Sequence, residues 1–289
     1  MPAFPHLELK KQIERDYKHQ PKAFEQKKSE TTEANLNNRQ SHSQNLSSRV
    51  DSLDNAWNAT LQQREQNQLP PLPHPESPPL FLQVDPLHFD IESLISFGIE
   101  IIAEKEGGFV VGASADDFKS LRKKIDAFAN EKGRDKDQAA KLWQIVDGSQ
   151  WRVEEILSEE LQAKWPHIQD DELFILDVSI ATYLRISKQP GKLKEDTDEA
   201  YEKKLERWVT KVNNQFQQKE ELALQRQTEF EEYLAALHAE VLSSFVEEED
   251  SFGCRISIAG KGLRDLTLNY PHIFDITEHE DIQLSKSTI

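Results

Sequence analysis

Residues 196–238 run without a glycine or a proline and are dense in charge, and no other stretch limits the possible folds as sharply. Tyr201, Leu205, Trp208, Val212 and Phe216 make one helical stripe, and Phe230, Tyr233, Leu234 and Leu237 make a second. A single helix over this range is roughly 60 Å long, more than a small sheet can cover. The spacing therefore predicts an arm that projects from its domain or folds back as a hairpin, with the nearly apolar-free residues 217–221 as bend or tip.

On either side of that helix the chain reads as two units of one order. In residues 80–150, a buried strand over 80–84 precedes a short helix capped by Asp90 and stopped by Gly98. Ile99, Ile101 and Ile102 begin a second strand, and Gly107-Gly108 supplies the turn into Phe109, Val110 and Val111. Ser114 then caps a helix with Phe118, Leu121, Ile125 and Phe128 on one face, and residues 142–146 make a fourth strand. Residues 151–171 read as one connecting helix ended by Pro166.

The second unit, residues 172–278, opens with a long strand over 172–186 and continues through the helix at 196–238. A hairpin follows around the acidic turn Glu247-Glu-Glu-Asp-Ser, and a helix follows Gly260-Lys261-Gly262 with Leu263, Leu266 and Leu268. Tyr270-Pro271 ends that helix before a last strand with Ile273, Phe274 and Ile276. The expected fold class is α+β: tandem ferredoxin-like (βαββαβ) sandwiches, the second carrying the long helical arm. No letter-by-letter repeat accompanies the shared order.

Ahead of both units, residues 1–43 hold Lys10, Lys11, Lys18, Lys22, Lys27 and Lys28 and few apolar side chains, which predicts a disordered basic arm. Residues 44–68 form an isolated amphipathic helix in this reading, with Leu46, Val50, Leu53, Trp57 and Leu61 on one side. Residues 69–79 form a proline-rich, semi-rigid linker, and residues 279–289 a tail.

The 52 acidic against 35 basic residues leave a formal charge of −17, which argues against nucleic acid and anionic membranes as partners. The one cysteine, Cys254, excludes an internal disulfide, and no apolar run has the length of a membrane span or a signal segment, so a cytoplasmic protein is expected.

No catalytic constellation stands out. The histidines are His6, His19, His42, His74, His88, His167, His238, His272 and His279, none at a metal-ligand spacing from another ligand, and His238 reads as solvated. Asp147-Gly148-Ser149 and Asp170-Asp171 read as turns and caps, and Cys254 as a packed strand residue. Gly260-Lys261-Gly262 lacks the remainder of a phosphate loop and reads as a strand-to-helix turn. No catalytic, cofactor-binding or metal-ligating residue is assigned, and the chain is expected not to be an enzyme by itself.

Leu36-Asn-Asn-Arg-Gln-Ser-His42, Leu80-Phe-Leu-Gln-Val-Asp-Pro86, Phe89-Asp-Ile-Glu-Ser-Leu94, Phe97-Gly-Ile-Glu-Ile101, Gly107-Gly-Phe-Val-Val-Gly-Ala-Ser114 and Ile258-Ala-Gly-Lys-Gly-Leu-Arg-Asp-Leu-Thr-Leu-Asn-Tyr-Pro271 occur in that order. Together they resemble the region that precedes the peptidase domain in a group of large bacterial subtilisin-like serine peptidases. The likeness covers nearly the whole chain, whereas the family's catalytic Asp, His and Ser motifs match nothing in it. The resemblance implies a truncated or separately encoded pro-region that assists folding of a subtilisin-like peptidase domain, or inhibits or regulates it, in cis or in trans. It further implies that the second sheet docks on the enzyme while residues 278–289 enter the substrate cleft as an added strand. The alternative is an interaction module that binds a partner such as an ATPase through the helix at 44–68 and the long arm.

Overall fold

The structure, a computed structural model, describes residues 29–133, 136–146, 148–193 and 197–279. Its first elements are two helices, α1 (Glu30–Asn37) and α2 (Arg39–Gln66), where a disordered arm was expected to extend to residue 43. Residues 1–28 lie outside the described residues. The order of residues 29–43 has a polar cause, invisible to an apolar count. The Ser29 and Thr32 hydroxyls each donate to Asp85 Oδ2 at 2.7 Å, and the Leu87 and His88 amides donate to its Oδ1 at 3.1 Å. Trp143 Nε1 donates to Thr32 Oγ1 at 3.0 Å, and His42 Nε2 stands 3.0 Å from the Leu142 carbonyl. Burial alone would raise the Asp85 pKa, but hydrogen bonds from the Thr32 and Ser29 hydroxyls, the Leu87 amide and the His88 ring outweigh it and hold the carboxyl at about 2.

The amphipathic face of α2 is present, but the helix is not isolated. Leu46, Val50 and Leu53 are buried in the core of the first unit, and Trp57 and Leu61 pack against the core of the second. The proline-rich segment is held down as well. Leu72 is buried, Trp57 Nε1 donates to Pro75 O at 2.6 Å, and Arg64 Nη2 donates to Pro70 O at 2.6 Å.

The first unit comprises β1 (Pro79–Val84), a 3-10 helix (Ile91–Phe97), β2 (Ile99–Lys105), β3 (Phe109–Ser114), α3 (Lys119–Ala129) and β4 (Leu142–Ile145). Its antiparallel sheet has the order β2-β3-β1-β4. The turn between β2 and β3 needs glycine: Gly108 sits at φ +80°, and a Cβ there would lie 2.4 Å from Val84 O. Ser114 does not cap the helix as expected: it ends β3, its hydroxyl accepts from the Phe118 amide at 2.8 Å, and Phe118, in the left-handed region at φ 61°, precedes α3 rather than lying on its face. Alternation sends Leu80, Leu82 and Val110 to the side covered by α2 and α3, and Phe81, Val111 and Ile102 into the other core.

The single connecting helix expected over 151–171 is two helices, α4 (Gln150–Ile156) and α5 (Glu159–Lys164), followed by a 3-10 turn. The break falls where Leu157 forms a parallel bridge with Ile276 and the Ser158 amide donates to Ile276 O at 3.0 Å. In the second unit, β5 (Leu173–Ala181) leads to α6 (Asp198–Ala236), β6 (Glu240–Val241), β7 (Val246–Glu247), β8 (Ser251–Ala259), α7 (Gly260–Asn269) and β9 (Ile273–Glu278). The strands run antiparallel in the order β6-β8-β5-β9, with β7 also on β8.

The strand expected over 172–186 ends at Ala181. Beyond it the chain leaves the sheet and follows α6 as a strap. Trp208 Nε1 donates to Ser187 O at 2.7 Å, and Gln215 Nε2 donates to Arg185 O at 3.0 Å while its Oε1 accepts from the Ser187 amide. The strap supplies a partner for the Tyr201 to Trp208 part of the first α6 stripe while Phe216 stays exposed, and α6 remains one helix of 39 residues, about 58 Å long, without a hairpin at residues 217–221. Its last turns carry Phe230, Tyr233 and Leu234 into the core with Ile256, Leu266 and Tyr270.

Removing the Asp85 carboxylate leaves two hydroxyls and two amides without their acceptor. Asp85→Ala is expected to cost about 2–3 kcal/mol in urea unfolding. Hydrogen exchange of α1 amides should accelerate far more than that of α7, and equal acceleration of both would contradict this anchoring.

Candidate functional site

Three places collect polar or exposed apolar side chains beyond what packing requires. The first is the open face of the second sheet. Residues 174, 176, 178 and 180 of β5 point into the core, which leaves Leu173, Ile175, Asp177 and Ser179 on the other side. Leu173 is 69% and Ile175 41% exposed, and the adjoining β8 positions are Gly253, Arg255, Ser257 and Ala259. Arg255 donates to both Asp177 oxygens, at 2.9 and 3.2 Å, and His279 Nδ1 lies 3.2 Å from Asp177 Oδ2. The corresponding side of the first sheet is covered: Phe81 stacks on Trp151 at 5.2 Å between ring centroids and on Phe109 at 5.1 Å.

The second place is a charge cluster where β2, α6 and β9 meet. Arg226 donates to Glu100 and to the Ala181 carbonyl, and His272 Nε2 stands 3.5 Å from Glu100 Oε2. His74 of the proline-rich segment packs on the His272 ring at 5.3 Å and hydrogen-bonds Glu229 Oε2 at 2.9 Å. Burial pushes the His272 pKa below the ordinary histidine value, against the pull of Glu100. Burial opposes ionisation of Glu100 too, but the His272 hydrogen bond and the Arg226 charge outweigh it and hold the carboxyl at about 2. His74 and His272 are far apart in sequence, and no spacing rule could have joined them.

The third is a cleft of about 440 Å³ between α2 and α7. One side of α7 faces it with Lys261, Arg264, Asp265 and Leu268, and α2 faces it with Trp57 and Arg64. Gly148, Ser149 and Asp170 also line it, so three segments read from sequence as unrelated turns meet here; Asp147 lies outside the described residues. Gly260-Lys261-Gly262 is the strand-to-helix turn that was expected. A Cβ at Gly260 would lie 2.1 Å from Gln169 O, and one at Gly262 2.8 Å from Ile258 Cγ1. Beneath the cleft, the Asp265 carboxylate takes hydrogen bonds from Arg64, from Tyr233 Oη at 2.5 Å and from Asn269 Nδ2 at 2.8 Å.

The remaining candidates stay apart. His238 follows α6, exposed, at φ 57°, and Cys254 is buried in β8, its thiol pushed up to about 12 by burial and by Glu231 and Asp177. Among the described residues, no group of three or more His, Cys, Asp or Glu is placed to hold a metal, and no helix is long and apolar enough to cross a membrane. Comparison of the chain with protein-family models, with curated proteins and with solved structures finds no match.

Glu100 binds its proton more weakly in the folded than in the unfolded chain. The stability it confers is complete above its ordinary value of 4.5 and is lost as pH falls toward 2. Glu100→Gln should therefore be less stable than the parent at neutral pH, with the gap in urea midpoint closing across that window. A gap that stays constant with pH would contradict the assignment.

Proposed function

We propose that the chain is a non-catalytic amino-terminal region of a subtilisin-like serine peptidase, built as two ferredoxin-like units in tandem, and that it docks on the peptidase domain to assist folding, inhibit or regulate. The strand orders β4-β1-β3-β2 and β9-β5-β8-β6, each antiparallel throughout, support the tandem reading. The observation that carries the docking reading is the asymmetry of the two sheets. The first has its second face covered by Trp151 and the other core, whereas the second leaves Leu173 and Ile175 exposed among small neighbours. Small residues at Gly253, Ser257 and Ala259 of this face admit close approach of a partner's helices, and the exposed aliphatic groups supply contact area. β9 is an edge strand that Leu157 bridges at Ile276, and past Glu278 and His279 the chain continues into residues 280–289, which lie outside the described residues. In this reading that segment enters the substrate cleft by strand addition.

A second reading, docking of a partner such as an ATPase on the helices, keeps one supporting observation. Val209, Phe216 and Leu224 of α6 are 46%, 51% and 66% exposed. The helix once expected to share that role does not: Leu46, Val50 and Leu53 of α2 are buried within the chain.

The test is to titrate the purified chain into the peptidase domain encoded after or beside it and follow hydrolysis of a chromogenic peptide. Inhibition is expected, weakened by about tenfold or more in the Leu173→Asp, Ile175→Asp double variant, in line with loss of buried apolar contacts. Absence of both binding and inhibition would overturn the proposal, and capture of an ATPase that Phe216→Asp abolishes would favour the second reading.

A further inference from the structure

We infer that the cleft between α2 and α7 is a binding site for a small organic carboxylate with an apolar body, held by Arg152 and Lys261. Arg152 is fully buried and lines the cleft. Its Nε donates to Thr267 O at 2.6 Å and its Nη2 to Tyr270 O at 2.5 Å, so part of the guanidinium caps the last turn of α7. Capping does not account for all of it. Nη1, equally buried, has no hydrogen-bond partner among the described residues. A buried guanidinium nitrogen left unsatisfied costs about 1–3 kcal/mol or more, and an oxyanion in the cleft removes that cost.

The charges around the cleft point the same way. Asp265 is engaged by Arg64, and Asp170 by Arg264, which also donates to Ile168 O. Arg152 and Lys261 have no carboxylate partner among the described residues, and Lys261 lies exposed at the mouth. In a chain of net charge −17, a cleft with two uncompensated cations is set for an anion. Burial also pulls Arg152 down to about 9, against an opposing pull from Tyr233.

The rest of the lining is apolar: Leu53, Trp57, Leu69, Trp151 and Leu268. A volume of about 440 Å³ suits a body the size of a phenylalkyl or short acyl group. Inorganic phosphate would satisfy the cations and leave these walls without contact. The site is separate from the open face of the second sheet, so it stands or falls independently of peptidase docking.

The experiment is calorimetric titration of the full chain at low salt with phenylbutyrate, its neutral amide and inorganic phosphate, followed in parallel by tryptophan fluorescence. Phenylbutyrate is expected to bind at least about tenfold more tightly than either of the others, consistent with a charge-assisted hydrogen bond plus apolar burial. Lys261→Ala, at an exposed position, should keep the parent's circular dichroism and lose affinity several-fold. Leu268→Trp should fill the cleft and abolish binding. No binding of phenylbutyrate, or equal binding of its amide, would overturn the anion assignment. Phosphate binding as tightly as phenylbutyrate would overturn the apolar half, and unchanged affinity in Lys261→Ala would overturn the placement of the carboxylate.

Discussion

Position in this molecule depends on one buried carboxylate. Asp265 of α7 receives Arg64 from α2 and Tyr233 from α6, and so joins three helices that the sequence separates by up to 201 residues. A buried ion pair is not a large net source of stability against a well-packed apolar alternative, but loss of one partner strands the other charge at a cost of about 3–5 kcal/mol. The pair therefore acts mainly on register. With Arg64 seated on Asp265, the carboxy-terminal part of α2 lies along the second unit, while Leu46 and Val50 one to two dozen residues earlier lie in the core of the first. Burial and the Asp265 charge both raise the Tyr233 pKa, so its hydroxyl remains a donor across the ordinary pH range.

From that clasp follows the different fate of the two sheets. Because α2 and α4 hold the units together, Phe81, Ile102 and Val111 on one side of the first sheet join the core of the second unit, and that sheet is covered on both sides. The second sheet is covered on one. The arm formed by α6 and its strap extends the same unit, with Trp208 Nε1 on the Ser187 carbonyl, and Lys219 of α6 pairs with Asp250 at the turn before β8 at 2.7 Å. The open sheet face of this unit is the surface on which the proposed docking rests.

Local rules made the element order legible. Gly98 in the left-handed region after the 3-10 helix and the Gly107-Gly108 turn are short-range geometry, and the α6 stripes are periodicity. The failures share a different origin. Residues 29–43 are ordered by hydroxyl and indole bonds to Asp85 and the residues about it, the 151–171 segment is broken by pairing with Ile276, and the strand after Ala181 is diverted by hydrogen bonds from α6. Each is a contact between residues distant in the chain, on which composition and periodicity are silent. The cleft was illegible for the same reason: Ser149, Asp170 and Lys261 each look like turn chemistry until α2 and α7 bring them together.

The central claim is that the clasp and the shared core make one cooperative body whose only sheet face left open, among the described residues, belongs to the second unit. Native-state hydrogen exchange against denaturant tests it most directly. Core amides of β1 and β8 should open with the same free energy and the same denaturant dependence, and Asp265→Asn should lower both together. Two separate opening free energies, one for each sheet, with Asp265→Asn affecting only β8, would contradict it.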